Sequence, residues 1–127
     1  MSSESEKKAL SVVSDAPDHW ISRMVRAARA GAPSLRTLLS AKVELKVTIG
    51  SSREAAQGAS IVSEWLAGRF AVAPHFELVA LASKGPRMTA QLHLGGDPAY
   101  PAAWHLEALL GPDGLAREIS VRIQGSA

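Results

Sequence analysis

Three side chains far apart in the chain become a ligand set if their strands are adjacent: Glu77, His93 and His105. Pairing 75–83 with 87–95 around Lys84-Gly85, and 87–95 with 102–110 around Gly96-Asp97-Pro98, makes them lateral neighbours on one polar face. One carboxylate and two imidazoles are the donors of a facial metal triad. A two-residue change of register separates them again, so the plainer reading is adopted: an outer face that is solvated or packs on a second subunit. In the second case facing histidines would make association pH-sensitive. Asp15, Asp18 and His19 also lie close together, but helix capping accounts for both carboxylates without a metal. No metal and no cofactor is assigned.

Arg117 interrupts the apolar alternation of 115–124. It either reaches the mouth of a pocket to hold an anionic group, snorkels to solvent, or marks a bulge. His75, Arg87 and Tyr100 fall near strand ends, where loops would rim a cavity. Trp65, Trp104, Phe70, Phe76, Met24 and Met88 are the large groups available to line one, and the same residues also serve as plain core.

The elements that position these groups follow from periodicity. Residues 75–83, 87–95, 102–110 and 115–124 alternate apolar with polar residues between Gly/Pro turns, which predicts a four-stranded antiparallel meander with one apolar face. Phe76, Leu78, Ala80, Met88, Ala90, Leu92, Leu94, Trp104, Leu106, Ala108, Leu110, Ile119, Val121 and Ile123 occupy that face. Upstream, Asp15, Pro17 and Asp18 announce a helix that Gly31 closes as a left-handed cap, with Trp20, Ile21, Met24, Val25 and Ala28 as its buried stripe. Arg23, Arg26 and Arg29 lie toward its C-terminus, where cations complement the dipole. Pro33 opens a short helical turn through Leu39. Val43, Leu45, Val47 and Ile49 make 41–49 a strand apolar on one side. Ser51 and Glu54 form a capping box for a helix reaching Ala67 and stopping at Gly68, with Gly58 in its interior at a cost of about 1 kcal/mol relative to Ala.

The totals exclude several classes of function. At 127 residues the chain suits one domain, read as 15–127 behind an extension at 1–14 that is helical or mobile. It has no cysteine, hence no disulfide, thiol nucleophile or thiolate metal site. The sequence pI is 9.3, yet the formal charge is only +2, with 14 basic against 12 acidic residues spread throughout. That balance does not indicate a nucleic-acid partner. No apolar run approaches the roughly 20 residues of a membrane span, so a cytoplasmic protein is expected. No phosphate-binding glycine loop or nucleophile elbow stands out.

Helices followed by a meander make an α+β domain. This order of elements resembles the NTF2-like superfamily, which includes SnoaL-like cyclases, ketosteroid isomerases and limonene-epoxide hydrolases, over roughly residues 16–124. The local signals are Leu38-Leu39-Ser40-Ala41 before the strand, Arg53-Glu54-Ala55-Ala56 entering the second helix, and Gly111 through Ile119 at the last hairpin. The resemblance implies a cone: a strongly curved, mainly antiparallel sheet wrapped around N-terminal helices, often homodimeric, with an apolar pocket used for catalysis or for binding alone. It also implies Leu45 and Leu106, with the six large groups above, as pocket lining, and His75, Tyr100 and Arg117 as polar rim. The general-base Asp of the isomerases falls on Leu45, their oxyanion-hole acid on Leu106 and their oxyanion Tyr near Ile21, so isomerase chemistry by that route has no residues here. The Asp-Arg-Asp set of the epoxide hydrolases has no match either, since Asp97 and Asp113 fall in turns. The reading is a domain that binds a small, mainly apolar molecule in the cone, with no assigned catalysis. The alternatives are a SnoaL- or isomerase-type enzyme with a non-standard polar site, and a structural module that dimerises through the convex face of the sheet.

Overall fold

A computed structural model describes residues 19–71, 75–95 and 102–124. The expected extension at 1–14, the Asp15-Pro17-Asp18 helix start and Tyr100 lie outside them. Three helices, α1 (Trp20–Ala30), α2 (Ala32–Arg36) and α3 (Ala59–Ala71), accompany six strands: β1 (Leu39–Ile49), β2 (Ser52–Gln57), β3 (His75–Lys84), β4 (Arg87–Gly95), β5 (Ala102–Leu110) and β6 (Ala116–Gln124). The strands form one sheet in the order β2-β1-β6-β5-β4-β3. Every neighbouring pair is antiparallel except β1 with β6. The helices pack on one face of the sheet and on each other. This is the α+β layering that the order of periodic segments predicts.

The meander at β3 to β6 arises from alternation, because β4, β5 and β6 bury alternate residues on one face, while β3 at the edge is only half-buried, at Leu78 and Leu81. Ala90, Leu92, Trp104, Leu106, Ala108, Ile119 and Val121 are all buried, as are Val43, Leu45 and Val47 on β1. Ala80 departs from the expected apolar face. The ladder between β3 and β4 shifts register between Leu78 and Ala80. The extra residue, Val79, turns Ala80 outward and leaves Leu81 as the half-buried position. Further register shifts at Leu109/Leu110 and between Leu39 and Glu44 bend the sheet where it wraps the helices.

On α1, Trp20, Ile21, Met24, Val25 and Ala28 form the buried stripe that their spacing predicts. The helix begins at Trp20, with His19 in extended backbone as its N-cap. Gly31 ends it, its N–H donating to the carbonyl oxygens of Ala27 and Ala28 to close the last turn. Its φ of 132° and ψ of 164° differ from the left-handed helical cap expected at that place.

The largest departure is at 51–58. Gly50 and Ser51 form the two-residue loop of a hairpin, with Ile49 facing Ser52, and Gly50 takes φ +60°. Ser51 is therefore a turn residue and Glu54 lies on β2 opposite Val47; the capping box does not exist. Gly58, expected inside the helix, precedes it with φ +106°. Its N–H donates to Val43 O at 2.8 Å and its carbonyl accepts from Val62 at 3.0 Å. α3 then runs through Gly68 to Ala71, burying Val62, Ser63, Leu66, Ala67 and Phe70. Ile61 on the same helix is exposed.

Candidate functional site

Inside the cone, buried side chains from all three helices and four strands meet in one apolar cluster. Met24, Phe70 and Leu106 have no exposed surface, Leu45 retains 1% and Trp104 retains 4%. Trp65 and Met88 are half-buried and pack against the same cluster. The two faces of β5 explain how Trp104 and Leu106 arrive there. They alternate with His105 and Glu107, and pair with Ile123 and Val121 on β6 and with Leu92 and Ala90 on β4.

Three aromatic rings mark one end of this interior. Trp104 stands with its ring centroid 5.9 Å from Trp65, the planes tilted at 39°. Phe70 meets Trp104 edge-on at 5.6 Å and 60°. Both separations fall in the range where aromatic pairs attract beyond their area burial. The Arg69 guanidinium carbon lies 4.9 Å from the Trp65 ring centroid, within cation–π reach. The Trp65/Arg69 spacing of four residues on one helix is the signal from which this contact was legible, although sequence reasoning passed over it.

The rim residues are less assembled. His75 opens β3 opposite Gly95, and Phe76 pairs with Leu94, but the side chains of His75 and Phe76 lie outside what the structure describes. Arg117 is exposed at the β5–β6 hairpin, its guanidinium folded over Gly111, where an added Cβ would lie 2.5 Å from Nε. The positions that the resemblance makes catalytic, Ile21, Leu45 and Leu106, are buried hydrophobic residues and offer no acid or base.

On the outer face the proposed triad separates. His93 faces Glu77, with Nδ1 3.6 Å from the carboxylate, but across β5 it faces Ala103. His105 lies opposite Gln91 on one side and Arg122 on the other. The actual register differs by two residues from the one that would align the histidines. Among the described residues no group of three side chains could hold a metal ion. The Arg87 guanidinium forms an ion pair with Glu107 at 2.9 Å.

Among the described residues, no helix is long and apolar enough to cross a membrane. No protein-family model matches the chain, and no curated protein matches it. Solved structures do. An uncharacterized bacterial protein with a cystatin-like fold from Silicibacter pomeroyi DSS-3 superposes with TM-score 0.69 at 18% identity, over 83% of this chain and 73% of that one. An NTF-2 like protein of unknown function from Burkholderia xenovorans LB400 gives TM-score 0.69 at 10% identity, over 91% and 88%. A steroid delta-isomerase from Pseudomonas aeruginosa gives 0.63 at 17%, over 77% and 71%. Identities this low speak for architecture and leave the site to its own residues. Superposing on all three over most of its length, the chain has the NTF2-like fold.

Proposed function

We propose that the chain binds a small, mainly apolar molecule at the end of the cone marked by Trp65, Trp104 and Phe70. The observation that carries the proposal is the incomplete burial of this aromatic group. Phe70 and Trp104 are sealed, while Trp65 stays half-buried beneath Arg69. An apolar molecule laid on the open part of Trp65 removes further apolar surface from water, at about 25 cal/mol per Å². Arg69, already over the ring, is placed to meet a polar or π-rich end of such a molecule. The apolar residues at Ile21, Leu45 and Leu106 favour binding over proton transfer, since no acid or base points into the interior from those three positions.

Titration of the full chain with naphthalene and with decanol, followed by tryptophan fluorescence, tests the proposal. The expected result is a saturable change that Trp65→Leu abolishes. A response that is absent, or that rises without saturation in the unaltered chain, contradicts it. The proposal carries two further expectations, a homodimer and a cytoplasmic location. Sedimentation velocity across a range of concentrations tests the first, and cell fractionation the second.

A further inference from the structure

The face of the sheet turned away from the helices carries its own concavity. A depression of about 380 Å³ opens between β4, β5 and β6, lined by Gln91, His93, His105, Arg122 and Gln124 around the small Ala103. A second, of about 260 Å³, adjoins it over β1, β5 and β6 and shares His105 and Arg122. These two residues form the ridge between the depressions because they are direct cross-strand partners, and Gln91 completes the row on β4. All three side chains project outward by alternation, since their neighbours Leu92, Trp104, Leu106 and Val121 point into the core.

The electrostatics of this row are unbalanced. The two carboxylates at its margins already have partners: Glu77 lies against His93 of the first depression, and Glu107, which lines the second, is held by Arg87. Among the described residues Arg122 and His105 make no ion pair and no side-chain hydrogen bond. Arg122 offers a planar fork of donors, the geometry that receives the two oxygens of a carboxylate. His105 presents a ring N–H beside it, and the Gln91 and Gln124 amides can donate to or accept from a polar substituent. A strand row is a rigid mount, so these donors converge without the entropy cost of ordering a loop.

We propose that this outer depression is a second binding site, for a small carboxylate-bearing molecule held by Arg122 and His105. It is independent of the apolar site in the cone, from which the sheet itself separates it.

The test uses the full chain labelled with ¹⁵N, with malonate as probe and sodium chloride of equal ionic strength as reference. Arg122 Nε–H and the His105 ring are expected to shift saturably with malonate and not with chloride. Arg122→Gln is expected to weaken binding about tenfold, or ~1.4 kcal/mol. His105→Gln should weaken it by a smaller factor. Arg53→Gln supplies the control, because Arg53 faces Thr48 at the far end of the same row, outside the first depression, and loses the same charge. Equal effects from Arg53→Gln and Arg122→Gln overturn the proposal, because they report net charge only. Shifts that never saturate overturn it too. So does a sedimenting dimer in which Arg122 responds to malonate only on dilution, since a second copy of the chain would then occupy the face.

Discussion

His19 joins helix α1 to the edge of the sheet: its Nε2 lies 3.0 Å from the carbonyl oxygen of Ala82 on β3. The same ring accepts the Ile21 N–H on Nδ1 at 3.1 Å. Together the two bonds require a neutral imidazole with the proton on Nε2, because Nδ1 must present a lone pair. One side chain thus caps a helix and fixes where that helix sits against a strand 63 residues later in the chain. β3 ends the sheet, so the contact also covers part of an otherwise open edge.

Replacing this residue should therefore separate two contributions. His19→Ala loses both bonds and should destabilise the fold by about 1–3 kcal/mol, combining a helix cap with one hydrogen bond. His19→Asn keeps a capping oxygen but is too short to span to Ala82, and should fall between that variant and the unaltered chain. Urea unfolding with a common slope checks the order. Equal stability of Asn and Ala would mean that the cap contributes nothing.

Gly58, just before α3, and Gly68, within it, should respond in opposite directions to the same substitution. A Cβ meets nothing within 4 Å at either Gly58 or Gly68. Gly68 lies inside the helix on its exposed side, so Gly68→Ala should stabilise by about 0.5–1 kcal/mol. Gly58 holds φ +106°, which side-chain-bearing residues rarely adopt, so Gly58→Ala should cost on the order of 1–3 kcal/mol. Thermal unfolding of both variants measures the contrast. A shift of the same sign in both would show that the backbone at Gly58 relaxes.

The aromatic group should be unequal in its contribution to stability. Trp104 is 4% exposed and touches two rings, so Trp104→Ala should cost about 3–5 kcal/mol. Trp65 is half-buried, and Trp65→Leu retains an apolar side chain, so its cost should be about 1–2 kcal/mol. Denaturant midpoints decide this. The difference matters for function, because it leaves Trp65 as the ring that can be altered in a folded protein.

Much of this architecture is written locally. Strands β3 to β6 lie within about a residue of the segments marked out by alternation, because burial of one face selects every second residue along each of them. β2 could not be read that way. Its Ser-Arg-Glu-Ala-Ala-Gln composition favours helix, and it is held as an edge strand by pairing with β1 alone. Gly50-Ser51 between alternating runs is the hairpin signal that competes with the Ser51/Glu54 capping box, and the ladder with β1 decides for the hairpin. For the site, Leu45, Trp104 and Leu106 follow from the same alternation, and Met24 from the helical spacing of the α1 stripe. The outer row was misaligned, because the β4–β5 connection exceeds a two-residue turn and its composition does not specify register. Two residues of slip replaced a Glu77, His93, His105 alignment by the observed Gln91, His105, Arg122 row.

The central claim, a small apolar molecule at Trp65, is tested most directly by native mass spectrometry of the purified full chain and of Trp65→Leu, each followed by denaturation and organic extraction. The account predicts a stoichiometric added mass that disappears on denaturation, is recovered in the extract as an apolar compound, and is reduced in Trp65→Leu. A bare protein mass that remains unchanged after incubation with naphthalene or decanol would contradict it.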